Sequence, residues 1–191
     1  MVVGERVKPY REFITTAKGR EMNLNLHLGQ QKVWLSKARF PVLLAGTQFG
    51  KTCFEPDWLY REICERGEGD YIVGSATFPL LGLKLLPEFQ TLFCEILRWG
   101  VYKDDRMGNR IIQSNHDKSR IIFFSGTNSE AIESATAKAA VLDEAGQKQF
   151  RQGVWDAVQR RLSLNRGRCL IATTLYQLGW LKTEVYDRAM A

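Results

Sequence analysis

No uninterrupted apolar run in this 191-residue chain approaches the ~18 residues needed to cross a bilayer, which excludes a helical membrane protein. The N-terminal stretch "MVVGERVKPY" has no apolar core of the kind a secretion signal requires, so a cytosolic setting is expected. Cysteine is sparse and scattered. Cys53, Cys64, Cys94 and Cys169 lie far apart with no C-x-x-C pair, which argues against a zinc site or a disulfide framework and reads as free thiols. Internal repeats and low-complexity segments are also missing. What is there is ordinary for a soluble globular protein, with 45% hydrophobic and 25% charged residues. A chain of this length can bury about 70% of its unfolded surface, enough for one sizeable core. The net charge of +6 is concentrated in the first forty residues and in the run from Lys148 to Arg168. Such a balance suits a polyanionic partner, or a solvated charged face.

The chain alternates. Short apolar runs ("FPVLLAG", "DYIVGS", "RIIQS", "RIIFFSG", "KAAVLDE", "RCLIATT") punctuate longer segments with helical spacing. In "PEFQTLFCEILRW" Phe89, Leu92, Phe93, Ile96 and Leu97 share one helix face, with Pro87 suited to the first turn. The stretch "RIIQSNHDKSRIIFF" reads as an antiparallel hairpin added to an otherwise βαβ chain, because "SNHDKS" can turn but cannot pack. The strands ending before Gly46, Ser75, Asp143 and Thr173 are expected to form a parallel core, buried on both faces. The first 25 residues lack strong periodicity and are expected to form a basic arm or a peripheral helix.

The stretch "LLAGTQFGKT", Leu43 to Thr52, carries the chemistry. A phosphate-binding loop needs a strand that delivers the chain, a turn whose N–H groups converge on phosphate oxygens, and a helix N-terminus behind them. "PVLLA" supplies the strand and "GTQFGKT" the turn, and a helix with Trp58, Leu59 and Ile63 inward begins near Lys51. Gly50 permits close approach of backbone to phosphate, Lys51 places a charge on the β/γ oxygens, and the Thr52 hydroxyl can ligate Mg²⁺. The usual pattern begins with glycine where this chain has Ala45. A small residue suffices there if the turn does not need positive φ, and the adjacent Gly46 can take such strain. Downstream by about ninety residues, "KAAVLDEAGQ" places Asp143 and Glu144 at the end of an apolar strand, a Walker B pattern. Asp143 can hold Mg²⁺ through its water shell, and Glu144 can polarise the water that attacks the γ-phosphate. Such an acidic pair can also merely cap the next helix.

Three further stretches complete a set: "LHLGQQKVWLSKARFPVLLAG", with a glutamine ahead of the loop, "DYIVGSATFPLLGLKLLPEF" and "CLIATTLYQLGWLKTEVYDRA". Together with "VLDEAGQ" they resemble, in the same order, the ATPase domain of the large terminase subunit, the DNA-packaging motor of tailed bacteriophages and related viruses. The resemblance covers nearly the whole chain after about Asn23. It implies a P-loop NTPase of the ASCE (RecA-like) kind over residues 26–191, a mostly parallel sheet flanked by helices. It makes Gln30, beside Gln31, the adenine contact. Ala45, Gly46, Thr47, Gln48, Phe49, Gly50, Lys51 and Thr52 become the triphosphate loop, Thr52 and Asp143 the metal-associated residues and Glu144 the catalytic base. Thr173 and Thr174 match the coupling motif that senses the γ-phosphate. The implied ligands are ATP and Mg²⁺. The implied partners are double-stranded DNA, the portal and procapsid and the small terminase subunit, in the host cytoplasm. The chain is expected to be monomeric when isolated and to assemble as a ring on the portal.

Two departures stand out. Large terminases often carry an arginine in the loop, where this chain has Thr47 or Gln48, and another near the position of Glu133. Arg160, Arg161 and Arg166 are the substitutes for neutralising transition-state charge, Arg160 foremost, inserted from a neighbouring subunit, with a surface-exposed or phosphate-contacting role the other reading for each. The family also continues into a nuclease domain, whereas here the close acidic neighbours outside the loop are Asp104 and Asp105 and no nuclease site is expected. Two other readings share part of the pattern: a fragment of a helicase-type translocase, and a nucleotide-binding assembly module without significant turnover.

Overall fold

The computed structural model describes residues 9–17, 19–104, 110–128, 132–174 and 179–190. Residues 1–8 of the expected arm, Asp105 and positions 175–178 lie outside them. The chain divides into two compact units, Met1–Ser36 and Lys37–Ala191.

In the first unit, residues expected as an arm or a peripheral helix instead form a hairpin. Strands β1 (Arg11–Thr16) and β2 (Gly19–Leu24) pair antiparallel, with Phe13 opposite Met22 and Ile14 opposite Glu21. The β-branched run Ile14-Thr15-Thr16 favours extended backbone, which explains why no helix forms. Helix α1 (Leu28–Leu35) follows. His27 caps it by accepting from the Gly29 and Gln30 N–H groups, and the Gln30 carboxamide oxygen accepts back from the His27 N–H at 3.2 Å.

The second unit is built on a seven-stranded sheet in the order β3-β9-β8-β4-β7-β6-β5. Its strands are β3 (Val42–Leu44), β4 (Asp70–Ser75), β5 (Gly100–Asp104), β6 (Arg110–Ser114), β7 (Arg120–Ser125), β8 (Ala137–Asp143) and β9 (Arg168–Thr173). The five strands β3, β9, β8, β4 and β7 run parallel, and β6 and β5 continue antiparallel to one edge. The expected hairpin is the β6–β7 pair, but β7 also belongs to the parallel core through β4. Asp117 accepts from the Ser119 N–H and closes its turn. Strand β5, which had no signal of its own in the sequence, completes the edge. The expectation of burial on both faces holds for β4, β8 and β9 and fails for β3, where Val42 and Leu44 are 36% and 52% exposed. The reason is position: within this sheet β3 is an edge strand with β9 as its one neighbour.

Helix α2 (Lys51–Arg66) buries Phe54, Trp58, Leu59 and Ile63 and packs against β8. The amphipathic segment expected from Pro87 begins earlier. It runs as α3 (Phe78–Leu80), a π-helical stretch (Leu81–Leu85), α4 (Leu86–Gln90) and a second π-helical stretch (Thr91–Ile96). Phe89, Leu92 and Phe93 are buried as the spacing predicts, and Phe89 meets Phe123 of β7 edge to face at 5.5 Å. On the opposite face lies α5 (Gln152–Ser163), whose Val154, Trp155, Val158 and Leu162 cover Ile72, Phe124, Leu142 and Ile171. The last described helical segment is α6 (Gly179–Leu181), a π stretch (Lys182–Tyr186) and α7 (Asp187–Met190). Its Trp180 stacks on Trp155 at 5.2 Å. No helix among the described residues is long and apolar enough to cross a membrane, and no disulfide joins any of the four cysteines.

Candidate nucleotide site

Register places the site. Leu44 lies beside Thr173, Asp143 beside Ala172 and Ser75 beside Asp143, so four parallel strands end at one level. Loops leaving such a carboxyl edge are where open α/β sheets bind ligands. The loop from Ala45 to Gly50 leaves β3 at this edge and delivers α2. Its middle is solvent-facing, with Gly46, Thr47 and Gln48 exposed. Left-handed backbone occurs at Gln48 (φ 65°) and Gly50 (φ 73°), and at neither Ala45 nor Gly46. Ala45 therefore fits without strain, its N–H donating to Thr173 O at 3.1 Å. Gly50 is the N-cap of α2 and has no side chain to offer, which leaves the first-turn N–H groups without a capping side chain.

Lys51 is buried to 6% exposure and its ammonium gathers the site together. It donates to Ala45 O at 3.1 Å, Gly46 O at 3.0 Å and Thr174 Oγ1 at 3.0 Å, and its Nζ lies 4.0 Å from Glu144 Oε1. The Thr174 hydroxyl in turn donates to Glu144 Oε1 at 3.3 Å, while the Thr174 N–H donates to Glu144 Oε2 at 3.2 Å. The hydroxyl thus accepts from the lysine and donates to the carboxylate. Glu144 itself sits at φ 51°, a conformation unusual for a residue with a Cβ. That left-handed turn carries the chain abruptly out of β8 and lets the carboxylate reach β9. Thr173 plays a different part from Thr174. Fully buried, it accepts from the Gly146 N–H at 2.9 Å and donates to Thr174 O at 2.9 Å, tying β9 to the turn after β8.

Asp143 ends β8 on the face opposite Leu142, which is the face turned to α2. There it meets Glu55, a residue the sequence reading passed over. The two carboxyls lie within hydrogen-bonding reach of each other, and burial first, then neighbouring negative charge, pushes both above the usual carboxylate range, Asp143 to about 6. Both Glu55 oxygens, Asp143 Oδ1 and the hydroxyl of buried Ser75 have no hydrogen-bond partner. Oxygen atoms in this state are what a hard divalent cation takes, so the residues present fit Mg²⁺. The only hint of Glu55 in the sequence is its spacing, four residues after Lys51 and three after Thr52, on the same side of α2.

Two expected site residues make contacts of other kinds. Gln30 belongs to the first unit, where its carboxamide oxygen takes part in the capping of α1. Arg160 is exposed near the C-terminal end of α5. The neighbouring Arg161 donates to Glu133 O, and Asn165 to Ala137 O at the start of β8. These residues are therefore toward the opposite end of the sheet from Lys51, with the length of β8, about 20 Å, between its first residue and Asp143. Arg168, at the end of the basic run, is structural: it pairs with fully buried Glu62, which Arg61 and Arg66 also contact, at 3.0 and 2.8 Å.

No family model and no curated protein matches this chain at a significant level. Solved structures do. The large terminase from a thermophilic bacteriophage superposes with a TM-score of 0.69 at 15% identity, over 85% of this chain and 43% of that one. The large terminase ATPase domain of Thermus phage P74-26 gives 0.65 at 20% identity, over 84% and 69%. The HK97 bacteriophage large terminase gives 0.69 at 12% identity, over 87% and 37%. The chain thus spans less than half the length of the first and third. Structures of the first in complex with ADP and with ATP-γ-S match as well. The fold is that of the phage large terminase ATPase domains it superposes on.

Proposed function

We propose that this chain is an ATPase motor domain that hydrolyses ATP to drive double-stranded DNA into a viral procapsid. The observation that carries this reading is the meeting of Lys51, Thr174 and Glu144, three residues from three segments, at the end of a parallel sheet behind a solvent-facing loop. The role of each follows from its contacts. An ammonium has three hydrogens, and Lys51 directs them at Ala45 O, Gly46 O and Thr174 Oγ1. Phosphate oxygens seated on the loop compete for those hydrogens, as charge-assisted acceptors outbid neutral ones. Lys51 then holds the β/γ oxygens, and the Thr174 hydroxyl loses its donor. That exchange is a physical form of nucleotide sensing: whether the γ-phosphate is present decides which partner Lys51 has, and Thr174 directly follows β9, which connects it to the rest of the sheet.

Glu144 orients and deprotonates the attacking water, with the Thr174 N–H and hydroxyl holding its carboxylate. Thr52 and Asp143 hold Mg²⁺, which when bound neutralises charge on the triphosphate. Backbone N–H groups at the start of α2 cradle the phosphates, and Gln30 contacts the adenine. DNA, the portal, the procapsid and the small terminase subunit are the proposed partners, in the host cytoplasm. The motor works as a ring, in which the basic run from Arg160 to Arg166 reaches a neighbouring subunit's site.

The test separates binding from chemistry. Lys51→Ala should weaken binding of a fluorescent ATP analogue severely in a folded protein. Glu144→Gln should bind it like the parent and lose turnover by on the order of 100-fold or more. Parental turnover in Glu144→Gln would remove this residue from the chemistry, and parental affinity in Lys51→Ala would show that this loop does not hold the triphosphate.

A further inference from the structure

Buried carboxylates are compensated by a cation, by hydrogen-bond donors, or by both. Glu62 shows the usual solution in this chain, with three arginines around one fully buried carboxylate. Glu55 and Asp143 do not. Glu55 is fully buried and Asp143 is 3% exposed, the two carboxyls lie within hydrogen-bonding reach of each other, and no other group donates to three of their four oxygens. Lys51 is the cation acting on both, and its three hydrogens are directed at Ala45 O, Gly46 O and Thr174 Oγ1. The Ser75 hydroxyl adds another oxygen. It is buried, without a partner, and paired in register with Asp143, so the two side chains leave the sheet on the same side.

We infer that Glu55 and Asp143 form the floor of a divalent-cation seat that binds its metal without nucleotide. Four considerations lead there. The donors are all hard oxygens, which select Mg²⁺ or Mn²⁺ over softer metals. A metal that displaces the protons of the two carboxyls meets a charge of −2, matched by one divalent ion. Thr52 lies three residues before Glu55 on α2 and presents its hydroxyl on the same side of that helix. Finally, Glu55 comes from the helix and Asp143 from the strand beneath it, so closing them on one ion fastens the start of α2 to the end of β8. In a site where the metal arrives only with the triphosphate, a second buried carboxylate has no use; here it makes the loop pre-loaded.

This inference deepens the ATPase reading by adding a residue and an order of binding to the same site, and it can fail separately. The experiment uses the full chain, freed of nucleotide and metal. Mn²⁺ is titrated in and free Mn²⁺ is read by its electron paramagnetic resonance signal. One Mn²⁺ per chain should bind in the absence of nucleotide and be displaced by Mg²⁺. Glu55→Gln, nearly isosteric, should weaken that binding at least tenfold, and Asp143→Asn should do the same, which keeps a readout if one variant does not fold. No Mn²⁺ uptake by the parent chain, or uptake by Glu55→Gln equal to the parent's, would overturn the inference. Binding of a fluorescent ATP analogue to the same samples separates the two ideas. Its absence counts against the ATPase reading, whereas its presence without nucleotide-free Mn²⁺ binding counts against the cation seat alone.

Discussion

Thr174 gives Glu144 both of the hydrogen bonds it can donate, the N–H at 3.2 Å to one carboxylate oxygen and the hydroxyl at 3.3 Å to the other. The same hydroxyl accepts from Lys51 at 3.0 Å, so one side chain just past the end of β9 connects the residue proposed to hold phosphate with the residue proposed to act on water.

Removing that hydroxyl should therefore uncouple the two. Thr174→Val keeps the shape and the N–H but loses the acceptor for Lys51 and the donor for Glu144. We expect kcat to fall on the order of tenfold or more with KM changed only a few-fold, and Thr174→Ser to restore most of the loss. Steady-state ATP hydrolysis across the three proteins measures it. A Thr174→Val enzyme with parental kcat would mean that the relay has no role in turnover.

The left-handed backbone at Glu144 has a cost that does not depend on its carboxylate. At φ 51° a Cβ is disfavoured, and glycine is not. Glu144→Gly should be more stable than Glu144→Ala by about 1 kcal/mol, less the entropy that glycine adds to the unfolded chain, while both are inactive. Urea unfolding of the two variants compares them directly. Equal midpoints would show that the turn out of β8 relaxes once the side chain is gone.

The buried acid pair predicts a pH dependence in the metal-free protein. Burial first, then the charge of Glu144, raises Asp143 to about 6, and burial first, then the charge of Asp143, raises Glu55. A carboxyl raised on folding holds its proton more tightly in the native state. Its contribution is therefore full below the ordinary carboxylate range near pH ~4, and is lost as pH rises through about 6. In EDTA, Asp143→Asn should gain stability relative to the parent as pH is raised across that interval, by on the order of 1–3 kcal/mol. Excess Mg²⁺ should shrink the difference. A gap between the two urea midpoints that does not change with pH would mean that neither carboxyl is shifted.

The position of Arg160 at the far end of the sheet makes the subunit arrangement testable. Glu144→Gln subunits keep their arginines, and Arg160→Ala subunits keep an intact base. Mixing the two on assembled portals should recover activity that neither has alone, because a base and an arginine from different chains then share one site. ATP turnover of assembled mixtures reads this out. Single Arg160→Ala, Arg161→Ala and Arg166→Ala variants that all retain assembled activity would remove the basic run from catalysis.

Much of this site was legible in the linear order of residues, for local reasons. A strand, a glycine-bearing turn and a Lys-Thr at the start of a helix are contiguous, so "LLAGTQFGKT" specifies its own conformation, and "KAAVLDE" places Asp143 and Glu144 at a strand end by its own pattern. Strands β4, β8 and β9 announced themselves through continuous apolar runs because burial on both faces leaves little room for polar residues, and β3 and the β6–β7 hairpin showed as apolar runs as well although β3 is exposed on one face. Strand β5 did not, since "GVYKD" lies at an edge where one face is exposed and polar side chains cost nothing. The π-helical stretch before Pro87, Leu81–Leu85, was not read at all, and the one after it, Thr91–Ile96, was read as ordinary helix, since apolar spacing does not separate the two forms.

What tertiary structure alone decided concerns partners distant in sequence. Thr173 and Thr174 are adjacent, yet the first, ending β9, is buried against Gly146 and the second, just past the strand, meets Lys51 and Glu144, a division that depends on which strand lies alongside. Arg160 and Arg168 belong to one basic run, and the sheet sends Arg160 to solvent and Arg168 to a buried carboxylate. Glu55 reads in the sequence as one more acid on an amphipathic helix; only the packing of α2 on β8 closes it against Asp143 and deprives it of water. Which groups could do chemistry was set along the chain, because that depends on residue type and local backbone. Which of them meet, and which charges are left buried without a partner, was decided by the register of a parallel sheet whose neighbours lie tens of residues apart.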